Sequence, residues 1–121
     1  MSKKVLVVDD EPSIVISLEF LLRREGYEVS VARDGEAGLA KIRDEHPDLV
    51  VLDVMMPRLD GFAVLEAVRG DPAVADTCIL MLTAKGREAD QKKGRKLGAD
   101  AYLSKPFSTH ELADRIRELL I

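Results

Sequence analysis

Residues 5–12 read VLVVDDEP: four apolar residues, three of them β-branched, followed by three acids and a proline. A short, unbroken apolar run of this kind is typical of a strand that is buried on both faces of a parallel sheet. Pro12 suits the first turn of a helix, because the backbone N–H that proline lacks would have no helical partner there. The stretch therefore predicts a strand, an acidic turn and a helix, in that order.

The same succession of strand and helix recurs to the end of the chain. A shorter strand pattern at residues 29–32 and apolar runs at residues 49–52, 78–82 and 101–103 are followed by helical patterns at residues 35–45, 61–69 and 88–97 and from near residue 109. Regular alternation of this kind predicts an α/β protein with a parallel sheet and helices on both of its sides. We find no internal repeat and no linker, so residues 1–121 are interpreted as one domain.

Composition excludes several classes of protein. The chain has 121 residues and a net charge of −4, which gives no overall attraction to nucleic acids or anionic membranes. Its single cysteine cannot form an internal disulfide, and its apolar runs are far shorter than the ~18–20 residues of a membrane span. The N-terminus has no secretory signal pattern, so we expect a cytoplasmic protein.

Polar residues that could carry chemistry follow four of the five predicted strands. In a parallel α/β sheet, ligands bind beyond the carboxyl ends of the strands. Taken singly, these residues have ordinary interpretations as helix caps, loop acids or solvated lysines. Their shared placement at one end of the strands favours a common site. The residues are Asp9, Asp10 and Glu11 after the first strand, Asp53 after the third, Thr83 after the fourth and Lys105 after the fifth.

The chemistry of these side chains narrows the choice of ligand. Clustered carboxylates repel one another unless a cation lies among them. Magnesium prefers oxygen ligands, and neither histidine nor cysteine accompanies the acids, which argues against zinc. Lysine and threonine suit a phosphoryl group, and aspartate can act as a nucleophile toward phosphorus. The residues predict a site for magnesium and phosphate, and they leave open whether the protein is a switch or a phosphatase.

Five short motifs occur together and in order along the chain. They are residues 7–12 (VVDDEP), 52–57 with 60–61 (LDVMMP and DG), 81–84 (MLTA), 98–102 (GADAY) and 105–107 (KPF). With these motifs the whole chain resembles the CheY-like receiver domains of two-component response regulators. The resemblance implies a doubly wound, flavodoxin-like, five-stranded parallel sheet of order 2-1-3-4-5, with five helices on both faces.

The resemblance also implies a metal site. Asp53 is expected to accept the phosphoryl group and to bind Mg²⁺, with Mn²⁺ as an alternative metal. Asp10 is expected to bind the metal directly, and Asp9 through a water molecule. The backbone carbonyl of Met55 is expected to complete the ligands that the protein provides.

Further residues are implied to respond to the phosphoryl group. Lys105 and Thr83 are expected to contact it, and the Lys105–Pro106 peptide bond is expected to be cis. Thr83 and Tyr102 are expected to form a switch pair, in which the hydroxyl moves to the phosphoryl group and the aromatic ring turns inward.

The function implied is that of a signalling switch and not of a turnover enzyme. A sensor histidine kinase or phosphotransfer protein would supply the phosphoryl group, and an output partner would bind the surface of the fourth helix, fifth strand and fifth helix. We expect a monomer or a weak, phosphorylation-dependent dimer, because Gln91, Lys96 and Ala101 stand where charged dimer contacts are expected. We see no element for direct nucleic acid or membrane binding. We expect a stand-alone receiver, and the alternative is the receiver half of a longer regulator.

Three rival functions are weighed against this one. A magnesium-dependent phosphohydrolase with an aspartyl nucleophile would carry an acid where Met55 stands. A nucleotide-binding module would have a glycine-rich loop after the first strand instead of three acids. A degenerate receiver would not keep the full acidic set.

The segment that contains the fourth helix is also basic. It is interpreted as a solvated face or as a docking site for an acidic partner. Its basic residues are Lys85, Arg87, Lys92, Lys93, Arg95 and Lys96.

Overall fold

The structure, a computed structural model, describes residues 2–84 and 88–121, and the predicted basic residues Lys85 and Arg87 lie outside this part. The strands are β1 (Lys4–Val8), β2 (Glu28–Ala32), β3 (Leu49–Asp53), β4 (Cys78–Ala84) and β5 (Ala101–Lys105). The helices are α1 (Pro12–Arg24), α2 (Gly35–Glu45), α3 (Gly61–Arg69), α4 (Glu88–Leu97) and α5 (Thr109–Leu119). All strand pairs are parallel, in the order β2-β1-β3-β4-β5. The predicted fold class is confirmed.

Side-chain caps fix where three of the helices begin. Asp34, Asp60 and Ser108 precede α2, α3 and α5, and each side chain accepts a hydrogen bond from a backbone N–H of the first turn, at 2.8–3.0 Å. Caps of this kind contribute about 1 kcal/mol each. None of the helices in the described residues has the length and hydrophobicity needed to cross a membrane.

The core lies on both faces of the sheet, because successive side chains of a strand point to opposite sides. On β1, Leu6 and Val8 face the cluster that packs under α2, α3 and α4, whereas Val5 and Val7 face α1 and α5. Strands covered on both faces need apolar residues at every position, which explains the unbroken runs in the sequence.

Strands β4 and β5 extend two residues beyond the apolar runs that predicted them. Thr83 pairs with Ser104 in the ladder, and Ala84 pairs with Lys105. Asp53 likewise closes β3, where it pairs with Leu82. The prediction that these polar residues follow the strands is therefore wrong, because they lie within the last one or two residues of each strand. Ladder hydrogen bonds use only the backbone, so the strands continue through polar positions that a search for apolar runs excludes.

Candidate functional site

The carboxyl ends of β1 and β3 bring three acids together. β1 and β3 are neighbours in register, with Val8 opposite Leu52, so the residues that follow these two lie side by side. One carboxylate oxygen from each of Asp9, Asp10 and Asp53 can be chosen so that all lie within 4.8 Å of one another. The parallel pairing thus joins acids that are more than forty positions apart in the sequence.

The two consecutive acids after β1 occupy different environments. Asp9 is fully buried, and its Oδ1 accepts a hydrogen bond from the backbone N–H of Glu11 at 2.9 Å. Asp10 is exposed and lines the cleft at this edge of the sheet. Asp9 is therefore held in place by the turn that leads into α1, while Asp10 presents its carboxylate to solvent and to a ligand.

Lys105 reaches the acids from the end of β5. Its Nζ lies 3.2 Å from Oδ1 of Asp53 and 3.3 Å from Oδ2 of Asp9. Burial lowers the pKa of Lys105, but the charges of Asp53 and Asp9 raise it by more, so the amine stays protonated. The Lys105–Pro106 peptide bond is cis.

Burial and a neighbouring acid disfavour the charged form of Asp53. It is only 5% exposed, and burial is the main reason that its pKa rises from 3.8 to about 6. The charge of Asp9 raises the pKa of Asp53 further, whereas Lys105 and the backbone N–H of Met55 lower it. The carboxylate is thus ionised at neutral pH but gains from any additional positive charge.

Two hydroxyl groups lie buried on the same side of the sheet. Thr83 is two residues beyond Met81 on β4, and Met81 pairs with Tyr102 on β5, so the three side chains face the side covered by α4. The hydroxyls of Thr83 and Tyr102 have no hydrogen-bond partner within the part of the chain that the structure describes. Neither residue is among those that line the acidic cleft, so the structure places the two hydroxyls behind its lining and not in it.

The cleft fits a hard divalent cation. It has a volume of ≈ 460 Å³, and the described residues that line it include carboxylates and Lys105 but neither histidine nor cysteine. The lining residues are Asp10, Glu11, Asp53, Val54, Met55, Leu82, Ala84 and Lys105. Oxygen donors suit Mg²⁺ and Mn²⁺ and do not suit softer metals. Among residues 2–84 and 88–121, one lysine, Lys105, contacts two of the three carboxylates, which leaves negative charge for a cation to balance.

The sequence did not reveal the part that Gly61 has in the site. A side chain at this first residue of α3 would collide with the backbone carbonyl of Asp53 and would lie 2.9 Å from Cα of Val54. The N–H of Gly61 also donates to the carbonyl of Val54 at 2.9 Å. Gly61 therefore lets α3 press against the turn that carries Asp53. The signal was present as a glycine directly after the capping residue Asp60, but its reason lies in the approach of distant backbone.

Fold and site together define a doubly wound α/β protein with an acidic cleft at the carboxyl edge of its sheet. Residues 5–117 match the family model described as "Response regulator receiver domain". The chain belongs to this family, and the predicted resemblance is confirmed.

Individual relatives agree with this assignment. The chain is 51% identical over 120 residues to the alkaline phosphatase synthesis transcriptional regulatory protein PhoP of Bacillus subtilis. The aligned region covers 99% of this chain and 49% of the relative. The structure resembles the chemotaxis response regulator CheY4 of Vibrio cholerae, with a TM-score of 0.93, 37% identity and coverage of 99% and 100%. It also resembles the receiver domain of the sensor histidine kinase PA1611 of Pseudomonas aeruginosa, with a TM-score of 0.90, 27% identity and coverage of 99% and 98%. That structure has a magnesium ion coordinated in its active site cleft.

The chain spans about half the length of the curated relatives that it matches. The match covers nearly the whole of this chain. What those longer proteins do through the rest of their length is not attributed to this chain.

Proposed function

We propose that this receiver domain is a phosphoacceptor switch, in which Asp53 takes a phosphoryl group in a Mg²⁺-dependent reaction. The donor would be a phosphohistidine on a sensor histidine kinase or a phosphotransfer protein. The observation that carries the proposal is the contact of Lys105 Nζ with both buried acids, 3.2 Å from Asp53 and 3.3 Å from Asp9. This places one fixed ammonium beside a carboxylate that is open to the cleft.

The residues of the chain have separate tasks in the transfer. An oxygen of ionised Asp53 attacks phosphorus, the bond from phosphorus to the histidine nitrogen breaks, and the imidazole keeps that electron pair. Lys105 would turn from the carboxylates to the phosphoryl oxygens as a point charge, and the Thr83 hydroxyl would donate a hydrogen bond to them. Catalysis of such a transfer consists mainly of positioning and charge neutralisation.

The oxygen ligands of the cleft would hold the metal. We assign Asp10, Asp53 and the backbone carbonyl of Met55 as direct ligands, and Asp9 as a ligand through water. When bound, Mg²⁺ or Mn²⁺ supplies positive charge beside the transferring phosphoryl oxygens. The burial of Asp9 and its hydrogen bond from Glu11 support its indirect part, because its two oxygens already have partners.

The phosphoryl group would act on the surface formed by α4, β5 and α5. It adds close to two negative charges at Asp53, which Thr83 and Tyr102 would transmit as the switch pair. A cleft of ≈ 460 Å³ lies on this surface, and Gln91 on α4 donates a hydrogen bond to Ser104 on β5 at 3.1 Å. The protein would act only on its own phosphorylation state, as a monomer or a weak phosphorylation-dependent dimer in the cytoplasm.

The same site is compatible with a stand-alone receiver and with the receiver half of a longer regulator. The stand-alone receiver stays a prediction. The alternative, the receiver half of a longer regulator, is supported by relatives of about twice the length. The phosphohydrolase is not supported, since the position two residues after Asp53 carries Met55, whose exposed thioether cannot protonate a leaving group.

Intact mass after incubation with a small phosphodonor and Mg²⁺ tests the proposal. The wild type should gain one phosphoryl group, and it should gain none when EDTA replaces the metal. Asp53→Ala should abolish labelling, whereas Asp76→Ala should keep it, because Asp76 is an exposed aspartate outside the cleft. Persistent labelling of Asp53→Ala would show that another residue accepts the phosphoryl group.

A further inference from the structure

Helix α4 rests on the sheet through a glycine. Within α4, all of which the structure describes, Gly94 is the only buried residue. Glycine in the middle of a helix weakens that helix relative to alanine. The presence of glycine at this buried position is therefore best explained by how α4 packs on the sheet.

The reason lies in the two strands beneath the helix. A Cβ atom at Gly94 would lie 2.9 Å from Cε1 of Tyr102 and 3.3 Å from Sδ of Met81, both closer than ordinary van der Waals contact. Met81 and Tyr102 are register partners on β4 and β5, so they form one surface under the helix. The methionine thioether is flexible and can move aside, but the tyrosine ring is rigid. The ring therefore decides whether a side chain fits at position 94.

Packing holds the ring of Tyr102 in this place. Its hydroxyl is buried without a hydrogen-bond partner among residues 2–84 and 88–121. The guanidinium of Arg95, the next residue on α4, lies 5.4 Å from the ring centroid. Burial raises the pKa of Tyr102, and the charge of Arg95 opposes the rise. The ring is thus partly enclosed beneath α4, with Arg95 as its polar neighbour on that helix.

We propose that Gly94 is a positioning residue for Tyr102, because the missing side chain leaves the space that the partly buried ring occupies beneath α4. A larger residue at position 94 forces the ring toward solvent. The consequence for signalling rests on the proposed function, in which Tyr102 and Thr83 form the switch pair. A ring that is kept out of this space uncouples Asp53 from the surface of α4, β5 and α5.

Tyrosine fluorescence can measure the burial of this ring directly. The chain has two tyrosines and no tryptophan, so Tyr27→Phe leaves Tyr102 as the single emitter. In this background, Gly94→Ala should increase quenching by acrylamide and lower the spectrophotometric pKa of Tyr102 toward that of an exposed tyrosine. The matched control is Gly70→Ala, at the end of α3, where an added Cβ has its nearest neighbour at 3.4 Å and both readings should stay unchanged. Unchanged quenching and pKa in Gly94→Ala would overturn the proposal.

A double-variant cycle covers the case in which Gly94→Ala folds poorly. With Tyr102 present, Gly94→Ala should lower the urea midpoint of unfolding. In combination with Tyr102→Ala it should raise the midpoint, because the collision is gone and alanine is the better helix former. An effect of the same sign in both backgrounds would contradict a collision with the ring.

Phosphodonor labelling separates failure of this inference from failure of the proposed function. If the wild type takes no phosphoryl group, the proposed function is wrong, while the ring measurements on unlabelled protein still stand. If the wild type is labelled and the ring of Gly94→Ala is as protected as in the parent, only the inference about Gly94 is wrong. Labelled Gly94→Ala should keep an exposed ring, since the space beneath α4 stays filled.

Discussion

Replacing Asp53 by asparagine should stabilise the metal-free protein. Asp53 is 5% exposed, and burial with the charge of Asp9 outweighs Lys105 and raises its pKa from 3.8 to about 6. A raised carboxyl pKa means that the folded state binds the proton more tightly than the unfolded state. The stabilisation from this group is complete below pH 3.8 and is lost as the pH rises through about 6.

The magnitude follows from the size of the pKa change. A change from 3.8 to about 6 corresponds to a loss of about 3 kcal/mol of stability at pH 8 and of about half that at pH 5. Asparagine keeps the shape without the charge but gives up the contact with Lys105. We therefore expect Asp53→Asn to raise the free energy of unfolding by about 1–3 kcal/mol at pH 8, with a smaller gain at pH 5.

Urea unfolding in EDTA at several pH values measures this difference. Asp76→Asn is the matched control, since Asp76 is exposed and outside the cluster, and its effect should be within about 0.5 kcal/mol. Mg²⁺ should then stabilise the wild type more than Asp53→Asn, which narrows the gap between them. A variant that is less stable than wild type at pH 8, or a gap that does not change with pH, would refute the electrostatic reasoning.

Three further predictions concern other parts of the fold. Burial raises the pKa of Cys78 from 9.0 to about 11. Alkylation of this thiol by iodoacetamide at pH 8 should therefore be about 100-fold slower in the native chain than in urea. Equal rates would contradict this. Arg69 donates to three backbone carbonyls and pairs with a carboxylate at 2.8 Å, so Arg69→Ala should cost about 2–4 kcal/mol in urea unfolding. Arg43→Ala, which removes a more exposed ion pair, should cost less than about 1 kcal/mol, and equal costs would show that the carbonyl contacts are unimportant. Gly61→Ala should lower both stability and the rate of Asp53 labelling, because its side chain would collide with the Asp53 carbonyl; wild-type labelling would argue against this contact.

Much of the fold was predictable because its signals are local. Most strand cores are apolar runs and most helices have a periodic apolar face, so five β–α units could be recognised from neighbouring residues alone. The ends of the strands were less predictable. Thr83 and Lys105 belong to strands only because the neighbouring strand offers backbone partners, and no local pattern records that.

The sequence also provided the chemical groups of the site but not their environments. Asp9 and Asp10 are consecutive acids, yet the first is fully buried and the second is exposed. Which of them faces inward depends on the direction in which β1 leaves the sheet. Likewise, a glycine in the middle of α4 was visible, while its contact with Tyr102 was not.

The amino-acid order by itself determined the α/β class, the number of elements and the oxygen-donor chemistry, since these depend on residue type and short-range periodicity. Tertiary structure decided that Lys105 contacts Asp9 across 96 positions of sequence and that both lie beside Asp53. The physical reason is that parallel pairing in the order β2-β1-β3-β4-β5 sets which strand ends are neighbours. Burial at that edge, together with the charge of Asp9, then raises the pKa of Asp53 to about 6.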